Sequence, residues 1–417
     1  MSASDLAIVA ALVYAWGAFS GRLERFDVTA PITFVLAGVV LTSGPLAPLG
    51  FAPSHEVVKD LAEATLVLVL FADASRVRLR DLRADMGLCL RLLGIGLPLT
   101  IGVGTVLALV LVPGITVWLA LLIGAALAPT DAALGAGVMV NPAVPARIRR
   151  LLNVESGLND GIATPVVLVA VAGAAGHAGS TGPGETVAEL VLGVLIGAVV
   201  GGAGGYLMRL ARRHGWSEGG FAGSAVLALA VCAYACALAL HGNGFIAAFV
   251  GGLAFGAASG RSRERLVPFV EETGALVSLL VWLAFGAVTV VPALQELTWQ
   301  TVLYAALSLT VIRMVPVAVA LAGARLGWRN VAFLGWFGPR GLASVVFALI
   351  ALEDLGDHAA RPAVAVITFT VLLSVLAHGV SADPLARRLV RVASPDAVEA
   401  EAGVPQPQER RLIRRAS

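Results

Sequence analysis

Glu155, Ser156, Asn159 and Asp160 fall within six residues near the start of a run, Leu151 to Ala175, that is otherwise apolar enough to cross a membrane. A carboxylate at bilayer depth is costly, and an ion or proton path is its default justification. Helical spacing puts Ser156 and Asp160 on one face, with Glu155 and Asn159 on the adjacent stripe. Earlier in the chain, Pro129-Thr130-Asp131 interrupts another apolar run. Pro129 has no amide hydrogen and its ring clashes with the preceding turn, so that helix is expected to open there. Opening bares carbonyl oxygens around Ala128 to Thr130, which lipid tolerates only where they pack in protein or line a wet cavity. Asp131, Asp160, a hydroxyl and a broken-helix carbonyl then make a hard-oxygen cage suited to a small monovalent cation. A carboxylate that holds a cation well holds a proton badly, and the reverse. That competition is a sufficient chemical basis for exchange.

Two arginines also lie inside apolar runs. Arg313 sits in Ser308-Leu-Thr-Val-Ile-Arg-Met-Val-Pro316 and Arg340 in Phe337-Gly-Pro-Arg-Gly341. A buried charge needs a partner, and Glu155 is the natural one for either; Arg313 is the favoured choice. Arg340 then faces the break near Pro129, lines the cavity floor, or snorkels to the membrane edge. The interruption at Gly338-Pro339 echoes that at Pro129, and matching breaks in two halves of a chain mark an inverted-repeat transporter with its site where the breaks meet.

These residues need membrane-spanning elements to hold them, and the composition supplies them. The 417 residues are 58% hydrophobic and only 13% charged, with 47 glycines, and the mean hydropathy is +0.88. A soluble domain carries about 25% charge. Thirteen hydrophobic segments can be marked, at roughly 5–20, 28–44, 59–74, 86–111, 115–138, 150–175, 186–208, 218–240, 243–259, 268–292, 298–322, 330–352 and 361–380. The expected fold is an all-α polytopic membrane protein of about thirteen spans, with inverted repeats and two broken helices. The first segment has no basic flank or cleavage pattern and reads as a span. Arginines crowd alternate connections (Arg76 to Arg83, Arg147 to Arg150, Arg209 to Arg213, Arg261 to Arg265), while the others hold only Lys59 and Arg361, at helix starts. The positive-inside rule then puts the N-terminus outside and the C-terminus in the cytoplasm. Residues 1–391 form the transmembrane domain, with a mobile core mainly at 86–175 and 298–380; residues 392–417 read as a disordered cytoplasmic tail.

Cys89, Cys232 and Cys236 lie in apolar context and are expected to be small buried residues. The formal net charge of +2 and the scattered arginines leave no patch for nucleic acid. Clustered histidines, a nucleophile with its base and a cofactor loop are all missing from the sequence, which argues against an enzyme. His241 is expected in an outer polar loop, and His378 as an interhelical hydrogen-bond donor.

The sequence resembles the monovalent cation/proton antiporters of the CPA1 branch, the bacterial NhaP-type sodium/proton exchangers, over about residues 5–390. Pro129-Thr-Asp131, Glu155-Ser-Gly-Leu-Asn-Asp-Gly161 and Gly338-Pro-Arg-Gly341 with Arg313 carry the resemblance. It departs from the usual pattern at Ala132, where proline is common, and at Pro339, where a bulkier residue is. The resemblance implies a homodimer in the bacterial inner membrane, with a dimerisation scaffold and a core that moves to expose the site to alternate sides. It implies that Asp160 binds cation or proton, that Thr130 contributes its carbonyl beside Asp131, and that Ser156 contacts the ion. It pairs Glu155 with Arg313 and ties Asn159 to electroneutral one-for-one exchange. The transported species would be Na+, Li+ or K+ and H+, with no further cofactor; membrane lipid would be the surrounding partner. The competing readings are a sodium-coupled solute symporter, for which the spans offer few additional polar residues, and an ion channel, for which there is no pore motif.

Overall fold

The computed structural model describes residues 3–23, 28–43, 46–47, 51, 53–77, 79–131, 134, 144–176, 183–217, 219–260 and 263–390. Helices follow one another along the chain: α1 Ala3–Leu23, α2 Ala30–Ser43, α3 His55–Arg76 and α4 Leu79–Arg91. A π-turn, Leu92–Gly96, joins α4 to α5 Leu97–Leu111; α6 is Val117–Ala126, α7 Ala146–Ala174, α8 Pro183–Arg213, α9 Gly219–Ala239 and α10 Gly244–Ser259. Then come α11 Arg263–Phe285, a second π-turn Gly286–Val290, α12 Val291–Gln295, α13 Trp299–Leu309, α14 Val311–Ala320, α15 Trp328–Trp336, α16 Leu342–Leu355 and α17 Asp357–Val390. Among the described residues eight helices are long and apolar enough to cross a membrane, and three more, 30–43, 117–126 and 244–259, are apolar but shorter. The expected count of thirteen is not reached by that measure, for three physical reasons. α3 carries Glu56, Lys59, Asp60, Glu63, Asp73 and Arg76, the expected spans at 115–138 and 330–352 are interrupted, and α2 and α10 have only 14 and 16 residues. The tail beyond 390 lies outside the described residues.

Side chains are scarce where helices meet most closely. Gly193, Gly197, Gly201 and Gly205 form a stripe at i+4 spacing on α8. A Cβ on each would fall within 2.6, 2.5, 2.1 and 2.9 Å of the carbonyl oxygens of Asn243, Ala247, Gly251 and Phe255, the matching i+4 stripe of α10. Backbone therefore packs on backbone, the small-residue solution that helices use where lipid removes the hydrophobic driving force. The other faces of α10 behave alike: Gly252 and Gly256 sit against the carbonyls of Phe71 and Ser75 on α3.

The packing falls into two groups. α2, α3 and α8 to α11 pack mainly on one another, here called the α3 bundle; α4 to α7 and α13 to α17 do the same, here the α16 bundle. The bundles meet where α3 lies against α16 and α7, α10 against α7, and α11 against α16; the second π-turn and α12, which continue α11 of the α3 bundle, lie against α17. α16 runs through the centre: Ala343 through Leu352 are buried without exception. A helix apolar all round needs such an enclosed place.

Candidate ion-binding site

Two half-length helices create the site. α6 has ten residues, about 15 Å of rise, so it ends near the middle of a hydrocarbon layer about 30 Å thick. α15 has nine residues and enters from the opposite end to a similar depth. Beyond them Ala128–Asp131 and Phe337–Gly341 are non-helical, and the two breaks repair each other. Asp131 donates its backbone N–H to the Pro339 carbonyl at 2.8 Å. Its carboxylate Oδ2 accepts from the Leu342 N–H at 3.3 Å, capping the start of α16 with negative charge where the helix dipole favours it. Ser344 Oγ returns the favour, donating to the Ala126 carbonyl at the end of α6 at 2.6 Å. Backbone groups left over by each helix end are thus met inside the protein.

The glycines of Gly338-Pro339-Arg340-Gly341 make that crossing possible. A Cβ on Gly341 would lie 2.2 Å from the Asp131 Cβ, and one on Gly338 would lie 2.7 Å from Arg313 Nε and 2.9 Å from Thr130 Cγ2. Glycine is required here for close approach, since Gly341 adopts φ −131°, which other residues reach freely.

α7 presents the acids. Glu155, Ser156, Asn159 and Asp160 are all buried, at 3%, 3%, 1% and 8% exposure. Glu155 receives a two-pronged bond from Arg313, Nη1 to Oε1 at 2.6 Å and Nη2 to Oε2 at 2.9 Å. The pair joins α7 to α14, just past Thr310, whose φ −113° and ψ −90° separate α13 from α14. The expected span at 298–322 is present as Trp299–Ala320, divided into two helices at Thr310, one turn before Arg313. Asn159 Nδ2 donates to Thr130 Oγ1 at 2.8 Å, tying α7 to the opened end of α6. Its Oδ1 is buried and has no hydrogen-bond partner among the described residues. Thr164 Oγ donates to the Asp160 carbonyl at 2.7 Å. Asp131 and Thr130 thus meet the second break and α7 respectively, while Ser156 and Asp160 lie one turn apart on α7.

Arg340 is fully buried at 0% exposure, which removes the snorkelling alternative. Its guanidinium donates to the carbonyls of Gly338 and Ser308, each at 3.1 Å, so it serves the break of its own helix and the end of α13. The sequence reading missed Ser374 and left the bond partner of His378 open. Ser374 Oγ accepts the Arg340 N–H at 2.7 Å and lies 3.2 Å from His378 Nδ1, while His378 Nε2 reaches the Trp336 carbonyl at 2.9 Å. Nδ1 also lies 2.9 Å from the Ser374 carbonyl, so each ring nitrogen faces a carbonyl acceptor and a neutral ring donates to one of the two. His378 thereby closes the end of α15. His241 is exposed, with φ 56° in the turn after α9. The cysteines are free, but only Cys89 is buried; Cys232 is exposed and Cys236 half-buried. The expectation of burial for Cys232 is corrected because it falls on the outward stripe of α9. Among the described residues no three His, Cys, Asp or Glu side chains converge.

Interrupted helices that cross at half depth beside buried acids define a class, the discontinuous-helix membrane transporters. Residues 7–388 match the family described as "Sodium/hydrogen exchanger, transmembrane", and the chain belongs to that family. It is 29% identical over 275 residues to the Na(+)/H(+) antiporter 2 of Zygosaccharomyces rouxii, covering 60% of this chain and 33% of that one. It is 24% identical over 367 residues to the K(+)/H(+) antiporter NhaP2 of Shewanella oneidensis, covering 86% of this chain and 62% of that one. The chain thus spans between a third and about three-fifths of these curated relatives. The fold is similar to that of the sodium proton antiporter MjNhaP1 from Methanocaldococcus jannaschii at pH 8, with a TM-score of 0.76 at 18% identity over 93% of this chain and 98% of that one.

Proposed function

We propose that the protein is a secondary antiporter that exchanges a monovalent cation for a proton, with Asp160 as the carboxylate for which the two compete. The observation that carries this reading is the crossing of the two helix breaks beside α7. The elements that meet there carry three carboxylates, Asp131, Glu155 and Asp160, and two guanidiniums, Arg313 and Arg340, of which Glu155 and Arg313 are paired. The surplus is one negative charge. A single proton or a single monovalent cation neutralises it, and burial makes an unneutralised surplus expensive. Glu155 is bound by Arg313 and Asp131 caps α16; in this reading Asp160, the acid of the Asn159-Asp160 pair that matches the family pattern, exchanges its partner. Ser156 one turn away and the opened backbone at Thr130 would complete an oxygen shell, and Asn159 holds Thr130 in register. The chemistry is the displacement of one hard cation by another from one carboxylate, without a bond made or broken in the protein.

Two bundles with their own packing support alternating access, the α16 bundle carrying the site past the α3 bundle. The arginine pattern supports an N-terminus outside and a cytoplasmic C-terminus; the family resemblance adds the inner membrane of a bacterium and a homodimer to the reading. Relatives named for sodium and for potassium both match, so the ion is set by assay. In proteoliposomes holding an acid-inside pH gradient, adding Na+, Li+ or K+ is expected to collapse the gradient. Asp160→Asn is expected to abolish the collapse while the protein keeps its elution profile and helix content. Retained exchange in Asp160→Asn would remove that residue from its role, and a wild-type gradient untouched by all three ions would remove antiport of them.

A further inference from the structure

The end of the molecule without arginine clusters carries two cations, Lys59 and Arg361, and Lys59 is the one lysine in the chain. Topology does not account for them, because the positive-inside pattern would leave this end bare. Both are paired, and both pairs run from one bundle to the other. Lys59 Nζ, in the first turns of α3, lies 2.6 Å from Asp354 Oδ1 at the end of α16, and 3.9 Å from Glu63 of its own helix. Arg361 Nη1, on α17, lies 3.1 Å from Glu296 Oε1, which directly follows α12, the continuation of α11. At the arginine-rich end, Arg76 meets Glu271 within the α3 bundle, and Asp85 meets Arg147 and Arg150 within the α16 bundle.

The seam is not fully filled beside the Arg361 pair. A cleft of about 160 Å³ lies along it, walled by Thr289, Pro292 and Ala293 from one side and Leu352, Arg361 and Val364 from the other. Interiors that must stay joined are packed to crystal-like density without such space. Here charge bridges what side-chain packing leaves open. The four partners are 33% to 48% exposed, so each pair is weak and breakable.

We infer that Lys59–Asp354 and Arg361–Glu296 are a pair of ionic clasps that close the outer end of the seam and must part each time the α16 bundle exposes its site to that side. This rests on the antiport reading and on the orientation given above. The clasps position the bundles and touch no transported ion. Loosening them favours the outward-exposed state, so the apparent affinity for cation rises on the outer side and falls on the inner. An exposed pair shifts such an equilibrium by roughly two- to fivefold.

The single lysine makes the test independent of transport. An impermeant amine-reactive reagent, applied to outward-oriented proteoliposomes, labels Lys59 at a rate read from the mass of its peptide. Arg361→Gln, which leaves the Lys59 pair itself intact, is expected to raise that rate about two- to fivefold. Glu271→Gln, which breaks a pair inside one bundle, is expected to leave it at the wild-type value. In parallel, Arg361→Gln should lower the ratio of outer to inner apparent KM for the cation by a similar factor. An unchanged Lys59 rate in Arg361→Gln, an equal rise in Glu271→Gln, or an unmoved KM ratio would each overturn the inference. Wild-type vesicles that exchange no cation would instead strike the antiport reading and leave the labelling result standing.

Discussion

Asn159 makes one bond and leaves one polar atom over: Nδ2 engages Thr130 while Oδ1 is buried without a hydrogen-bond partner among the described residues. Its neighbour Asp160 is the proposed exchanging acid, so consecutive positions of α7 hold a fixed contact and a variable one. Glu155 is the opposite case, with both oxygens committed to Arg313. Removing one partner of a buried pair costs about 3–5 kcal/mol, because the survivor keeps its charge without water. Glu155→Gln should therefore lower thermal stability in detergent markedly, and Glu155→Arg with Arg313→Glu should recover part of the loss. No recovery in the swapped protein, with both single variants still inserted, would argue that the pair's geometry and not its charge sets stability.

At the scale of elements, the breaks were legible because proline and glycine interrupt apolar runs at 129 and 338–339. The acids and arginines were legible because each is too costly in lipid to be incidental. Other parts had no such signature. Thr100 and Thr370 donate to carbonyls four residues back in their own helices, whereas Ser374 serves the Arg340 N–H on another helix. A hydroxyl in an apolar run looks the same in either role. The two-helix form of 298–322 was equally hidden, since the break falls at Thr310, six residues ahead of Pro316. Glycine count gave a membrane protein but not which glycines touch. Gly201 and Gly202 are adjacent on α8, yet a Cβ on Gly201 would meet the Gly251 carbonyl at 2.1 Å and one on Gly202 would meet nothing within 4 Å. Gly201→Ala is expected to destabilise by about 1–3 kcal/mol through overpacking. Gly202→Ala should be neutral or stabilising by up to about 1 kcal/mol. Unfolding midpoints of the two variants, measured side by side, check the assignment; equal midpoints would mean α8 and α10 are less closely seated.

For the whole molecule, the charge count within the α16 bundle is the quantity that reaches the membrane potential. If one proton leaves for each monovalent cation that enters, the bundle carries the same charge in both crossings. An imposed potential is then expected to leave the exchange rate within about twofold of its value at zero, against a drive of about 2.3 kcal/mol per elementary charge per 100 mV for an unbalanced cycle. Strong acceleration or reversal by voltage alone, read with a pH dye in potassium-clamped vesicles, would contradict one-for-one exchange. Glycine-on-backbone contact in the α3 bundle suits a fixed frame for such a cycle, since no side chain there has a second rotamer to adopt.

Asp131 belongs to one broken helix by sequence and to the other by contact, and this has a consequence for how the protein varies across its relatives. Its carboxylate caps α16, its N–H holds Pro339, and its Cβ occupies the space that a side chain at 341 would need. Positions 131 and 341 are therefore one heritable unit, though more than 200 residues separate them. Sequences that keep an acid at the first are expected to keep glycine at the second, and a bulkier residue at 341 should appear only with a changed residue at 131. An alignment of relatives in which these positions drift independently would show that the two breaks are joined more loosely than their geometry implies.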